Sequence, residues 1–318
     1  MASLLWPQEF GFFQYLRLKA TVVLYRIMVI FLDPFMMRRE RHLVSLEVQL
    51  ERIKIPSRDS GRYISGDLYY PPGYSSSPPT PLLINWHGSA FIIPALGHDA
   101  VICSRIAREA GIVVLDADYR KAPEHPFPEP PQDVEDVLKW VTTQGRFDLQ
   151  RIAVMGFSAG GCLALVAATA FRKKFAHLIN MPLAISVYPT TDHTILAEDK
   201  KVPNPIKAIP TGGMRLMTDC YVPNKDMRKN PLASPMFADP ADYPDMTAII
   251  TVEGDTLRPE AEALADVLEK NGRNVFRHNI LGFWHGFDKC AKKGTVEWNK
   301  RDELIDMMLN LLRGAFKL

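Results

Sequence analysis

Cysteine is scarce in this chain and badly spaced for chemistry. Four cysteines stand among 318 residues, at 103, 162, 220 and 290, and no two form a C-x-x-C pair. That spacing indicates neither a structural zinc site nor a disulfide framework, and a reducing, cytoplasmic setting is expected. Excess charge of one sign is also lacking: the formal net charge is +2, too small to suggest a nucleic-acid partner. Long apolar runs are missing too. The stretch 20–32 is 13 residues long and contains Arg26, short of the roughly 20 apolar residues that a spanning helix needs. No basic n-region or small-residue cleavage site accompanies it, so no signal peptide is expected. Internal repeats and low-complexity segments are absent as well.

What is there is globular in kind. Apolar residues make up 47% and charged residues 23%, and the length suits one large α/β domain with an added cap, or two ordinary domains. Residues 10–37, rich in Phe, Leu, Val, Ile and Met, predict a helix. Lys19 and Arg26 are seven apart and share a face, leaving the others apolar. Two readings stay open for it: a helix docked over the main domain, or a peripheral membrane contact aided by Arg38, Arg39 and Arg41.

From 44 to 70 polar and apolar residues alternate, which predicts half-exposed antiparallel strands. Pro71, Pro72 and Gly73 then open a loop. Beyond it, short apolar runs at 82–86, 112–115, 152–155, 183–187 and 248–252 alternate with amphipathic stretches at 99–109, 132–143, 159–174 and 259–271. This succession predicts βαβ units and a mostly parallel sheet flanked by helices, with a closing helix over 296–312. Residues 191–230 interrupt the alternation. Met214, Met217 and Tyr221 have helical spacing, so an insert with its own short helix is expected there.

Gly156-Phe157-Ser158-Ala159-Gly160 follows the apolar run at 152–155 and precedes a helical stretch. A G-x-S-x-G in that context reads as a sharp turn that lifts a serine hydroxyl above the sheet. Ser158 is the candidate nucleophile, and a serine needs a base to take its proton and an acid to orient that base. His285, in a glycine-flanked loop after the strand-like run 274–281, is the candidate base. Asp255 follows the run 248–252 at the carboxyl end of an expected parallel strand, where ligands of open α/β sheets bind. Glu253 and Asp192 are its rivals. The order Ser158, Asp255, His285 is that of the α/β-hydrolases. His87-Gly88-Ser89-Ala90 follows the first parallel strand, and its small residues let backbone approach a ligand. The N–H groups of Gly88, Ser89 and Ala159 are the candidate oxyanion donors, with His87 ordering the loop.

These motifs, together with Asp118-Tyr119-Arg120-Lys121-Ala122-Pro123-Glu124 and with Asp133 and Trp140 in the helix after it, resemble the hormone-sensitive-lipase family of α/β-hydrolases. The resemblance covers about residues 80–290. It implies an α/β-hydrolase fold with a helical cap, its parts drawn from residues 1–45 and an insert at about 191–230, and the catalytic domain spanning 46–318. It also implies a carboxylic-ester hydrolase that works through an acyl-enzyme with neither metal nor organic cofactor. Ser89 and Ala90 stand where the family usually has glycines, which narrows the space beside the acyl carbon. Phe157 replaces a more polar residue and Cys162 an asparagine. Asp118 and Arg120 are expected to pair beneath the site.

A small-molecule ester is the expected substrate, with short to medium acyl groups favoured by the resemblance alone. Phe91, Phe157, Met214, Met217 and Trp284 are the candidate pocket residues. Two other readings use the same scaffold: an acyltransferase or lactone-forming enzyme of a biosynthetic pathway, and a ligand receptor without catalysis. The oligomeric state is not legible, a homodimer being compatible with the sequence.

Overall fold

Central strands of this chain are short and buried on both faces, the pattern of a sheet covered twice. The computed structural model describes residues 7–41 and 43–318, and the side chains of all of these except 32–41 and 290. Among the described residues, eight strands form one sheet in the order β1-β2-β4-β3-β5-β6-β7-β8. β1 (Gln49–Pro56) and β2 (Tyr63–Tyr70) are antiparallel, and β2 is antiparallel to β4 (Val113–Ala117). β3 (Thr80–Trp86), β5 (Phe147–Phe157), β6 (Leu183–Val187), β7 (Met246–Val252) and β8 (Val275–Ile280) continue the sheet from β4 in parallel.

The strand period of two divides the core. Leu82, Ile84 and Trp86 of β3 and Ile152 and Val154 of β5 face one layer, which contains α3 (Glu129–Val141) and α4 (Ala159–Val166). Leu83, Ala153, Met155 and Phe157 face the other, which contains α2 (Ala100–Ala110) and α8 (Val296–Phe316). α4 runs on through a π-helical turn, Ala167–Phe171, into the short α5 (Arg172–Lys174), so the expected single helix over 159–174 is locally underwound and widened. α7 (Arg258–Lys270) lies between β7 and β8 in sequence. It packs Leu264, Ala265 and Leu268 against Ile249.

Two expectations need correction. β2 is not half-exposed: its last five residues are buried, because it is paired on both sides and Tyr69 packs with Cys103 and other residues of the α2 layer. Asp67, buried there, is held by Arg52 through bonds of 2.7 and 2.8 Å. Nor does Arg120 pair with Asp118. Arg120 bonds Asp133, Glu129 and Asp59, while Asp118 accepts from Lys121 at 2.7 Å.

The helical cap region has two parts. α1 (Phe12–Arg41) buries Tyr15, Leu18 and Val22 against Cys220, Leu216 and Met217 of α6 (Thr211–Tyr221) and against Ile92 and Ala122. The first six residues and the side chains of the basic cluster at 38–41 lie outside the described residues. One charge crosses this apolar seam. Arg26 makes two bonds to Glu124, at 2.8 and 2.9 Å, and donates to the carbonyls of Ile92 and Ala122. Replacing Arg26 by Met would leave Glu124 and both carbonyls without their donor, a loss of about 1–3 kcal/mol from helix docking. Amide exchange should quicken across residues 12–30 while the sheet keeps its protection.

Candidate active site

A serine can be aimed out of a β-strand only where the chain turns sharply, and the sequence supplies the room for that turn. Ser158, between the end of β5 and the start of α4, has φ +53° and ψ −119°, a strained conformation for a residue with a Cβ. Close backbone contact explains the flanking glycines. A Cβ on Gly156 would lie 2.1 Å from the carbonyl oxygen of Gly160, and one on Gly160 would lie 1.9 Å from that of Trp86. The Ser158 N–H donates to Val187 O at 2.9 Å, which ties the turn to β6.

The structure brings Ser158, His285 and Asp255 together. His285 Nε2 lies 2.9 Å from Ser158 Oγ, and His285 Nδ1 lies 2.7 Å from Asp255 Oδ2. A carboxylate only accepts, so Nδ1 carries the proton and Nε2 is free to accept the serine hydroxyl. Asp255 is buried, and its Oδ1 accepts the Leu257 N–H at 3.0 Å, fixing the carboxylate plane. The rival acids have other work. Glu253 accepts the Gly282 N–H at 2.8 Å, and Asp192 accepts from the N–H and hydroxyl of Thr194. The Tyr188 ring meets the His285 ring edge-on at 4.7 Å, while its hydroxyl bonds Asp288.

Gly88 lies against the turn: a Cβ there would come within 3.2 Å of Phe157 O and 3.4 Å of Ser158 Cβ. Gly88, Ser89 and Ala159 line the same cavity as Ser158. Their N–H groups have no backbone acceptor among the described residues. That of Ala159 starts α4, where the helix dipole favours negative charge. The Ser89 hydroxyl is turned away, 2.6 Å from Tyr119 Oη and accepting from Phe91 N–H. Where glycines would be at ease, Ala90 and Phe91 hold φ of +51° and +60°. His87 is buried, stacked on Tyr119, and its carbonyl accepts the Tyr119 hydroxyl at 2.8 Å. Burial, with the Lys121 ammonium nearby, pushes its pKa well below the usual histidine range. It stays neutral and outside the cavity lining.

The cavity holds about 370 Å³ and opens between the sheet edge and the cap. Phe91, Met214 and Met217 line it, whereas Phe157 and Trp284 do not. Phe157 shares its strand face with Met155 and turns into the core beneath Tyr188. Trp284 is covered instead by the Lys207 ammonium, 3.4 Å from its ring centre. Sequence reasoning missed Tyr25 of α1, together with Tyr188, His193, Lys200 and Lys289. Tyr188 directly follows β6, so the carboxyl-end rule used for Asp255 could have found it. Nothing local marks Tyr25. Lys200 bonds Glu260 at 2.5 Å behind the cavity. Burial opposes the charge on Lys289, but Asp288 and Asp99 outweigh it and hold its pKa above the usual lysine range.

Among the described residues no cluster of His, Cys, Asp and Glu could hold a metal ion. Residues 83–289 match the family described as the alpha/beta hydrolase fold. The chain is 32% identical over 231 residues to the esterase LipI of Mycobacterium tuberculosis, covering 69% of each chain. It is 26% identical over 264 residues to the ethyl acetate hydrolase of Pseudomonas putida, covering 82% of this chain and 81% of that one. Among solved structures it resembles EstE1, a thermophilic carboxylesterase cloned from a metagenomic library. The TM-score is 0.78 at 25% identity, with 92% of this chain and 97% of that one covered.

Proposed function

The chain belongs to the α/β-hydrolase-fold family, among esterases and lipases related to hormone-sensitive lipase, and from that premise we propose that Ser158, His285 and Asp255 carry its chemistry. It is a serine-hydrolase-type carboxylesterase acting on small-molecule esters. The observation that supports this triad is the continuous relay of 2.7 Å from Asp255 to His285 and 2.9 Å from His285 to Ser158. It ends at a cavity that can admit an ester.

Ser158 Oγ attacks the ester carbonyl as His285 Nε2 takes its proton, and Asp255 stabilises the imidazolium that forms. The carbonyl oxygen becomes an oxyanion facing the N–H groups of Gly88, Ser89 and Ala159, donors fixed before reaction. The tetrahedral intermediate collapses, His285 returns the proton to the departing alkoxide, and an acyl-Ser158 remains. Water, losing a proton to His285, then attacks the acyl carbon, and the acid leaves as Oγ recovers its proton. Phe91, Met214 and Met217 supply the apolar wall of the ester pocket.

The reading extends to how the chain is divided and placed. Residues 1–45 and the insert at about 191–230 form the cap, and 46–318 the catalytic domain. The scarce, widely spaced cysteines favour a reducing, cytoplasmic site of action, with α1 as the segment that would touch a membrane peripherally. Among the described residues no helix is long and apolar enough to cross one.

Ligand pockets usually run from about 300 to 1,000 Å³, so a cavity of about 370 Å³ is at the small end. Short to medium acyl groups are therefore expected to be preferred. Steady-state rates on p-nitrophenyl esters from acetate to palmitate check this. The optimum should fall at a short chain; rates that climb steadily to palmitate would overturn the acyl preference, and no turnover of any ester would overturn the triad assignment.

A further inference from the structure

Helix α1 is apolar on two opposite faces. Its inward stripe, with Tyr15, Leu18 and Val22, is spent on α6 and the loop beside the pocket. The opposite face is bare. Ten large apolar side chains of α1 are exposed, among them Phe13 (82%), Leu24 (69%) and Phe31 (73%). Those three stand eleven and seven residues apart, close to three and two full turns, so they share one line along the helix. Leu16, Ile27 and Met28 flank that line and are exposed as well. At 1.5 Å per residue the stripe from 13 to 31 is about 27 Å long. Monomeric soluble proteins rarely leave so continuous an apolar band in water.

Charge indicates what covers it. Residues 12–31 contain Arg17, Lys19 and Arg26 and no acidic residue. Arg26 is consumed by Glu124, and Lys19 bonds the hydroxyl of the inward-facing Tyr15, which leaves Arg17, exposed within the apolar stripe itself. A second copy of the stretch 12–31 would bring bases and no acid, so a symmetric pairing of these faces gains no ion pair within that stretch. An anionic lipid surface matches both features, taking the apolar stripe below its headgroups while the Arg17 guanidinium reaches up among them. Among the described residues no helix is long and apolar enough to cross a membrane, so a lipid contact through α1 would be interfacial. Tyr25, on the flank of α1, lines the catalytic cavity.

We propose that α1 seats the protein on an anionic lipid surface through the Phe13–Leu24–Phe31 stripe, with the mouth of the ester cavity beside that surface. A lipophilic ester dissolved in the bilayer then reaches Ser158 past Tyr25 without crossing bulk water. The lipid contact stands on the exposed helix alone; the delivery of substrate rests in addition on the esterase reading above.

The full-length chain is mixed with vesicles of phosphatidylcholine, alone or blended with phosphatidylserine, and bound protein is separated by flotation. Wild type should float with the blended vesicles, more weakly with phosphatidylcholine alone, and less at high salt. In the doubly substituted Leu24→Glu, Phe31→Glu chain, binding should fall by at least about 100-fold, each lost side chain accounting for tenfold or more. Hydrolysis of soluble p-nitrophenyl acetate should not change, which also reports that the variant is folded. Hydrolysis of a long-chain ester dissolved in the vesicles should fall with binding. Equal flotation of both proteins, or of neither, would overturn the proposal. So would a wild-type dimer by light scattering that the substitutions render monomeric without any vesicle binding. Loss of all ester hydrolysis with flotation intact would strike the esterase reading and leave the lipid contact standing.

Discussion

Ser158→Ala should lower kcat by about 10⁴–10⁶-fold and leave the fold in place. Removal of a nucleophile from a Ser-His-Asp relay elsewhere costs about that much, the remainder coming from oxyanion donors and binding. The fold should survive because the strain at residue 158 is in its backbone. A φ of +53° is demanded by the contacts of Gly156 and Gly160 with neighbouring backbone, and alanine meets it at the same steric cost as serine. Among the described residues the hydroxyl hydrogen-bonds His285 Nε2, at 2.9 Å, and that nitrogen borders an open cavity where water can replace it. The checks are esterase rates on p-nitrophenyl butyrate and thermal melting of the same preparation. A tenth of the wild-type rate, in protein free of host esterases, would remove Ser158 from the mechanism.

Asp255→Asn should be nearly as severe, with kcat lower by about 10⁴-fold. The change is isosteric, yet an amide turned toward His285 Nδ1 can donate where the carboxylate could only accept. The imidazole would then place its proton on Nε2 and could no longer accept from the serine. Asp255 also accepts the Leu257 N–H through Oδ1, so the asparagine that preserves this bond must present its NH₂ to the histidine. Glu253→Gln is the contrasting variant. Glu253 accepts the Gly282 N–H from a partly exposed position, and its loss should cost about 1 kcal/mol of loop stability with little effect on kcat. A pH–rate profile for each enzyme would separate the two roles. If Glu253→Gln lost more activity than Asp255→Asn, the acid would be wrongly assigned.

Much of this architecture was legible in the sequence because it is local. Strands β5, β6 and β7 lie where apolar runs are bounded by turn residues, and the glycines around Ser158 announce a turn that only small residues tolerate. Pocket walls were harder. Phe91, Met214 and Met217 line the cavity. Phe157 does not, and its position two residues after Met155 in β5 puts it on the buried face. That signal was present and was outweighed by nearness to the nucleophile. Trp284 failed for a different reason, since a neighbour of His285 can face either way until Lys207, seventy-seven positions earlier, covers its ring. Arg120 likewise had a nearer partner in sequence than Asp133, Glu129 and Asp59, the carboxylates it meets in space.

By itself the sequence determined the sheet's alternation with its helices, the sharp turn at Ser158 and the chain order of hydroxyl, carboxylate and imidazole. Each depends on dihedral preference, side-chain period or spacing within a few residues. Only the tertiary structure decided that His285 reaches Ser158, that Tyr25 of the first helix borders the cavity, and which half of that helix stays bare. Those outcomes depend on contacts between segments tens to hundreds of residues apart. Burial and charge pairing select them only once the whole sheet has formed.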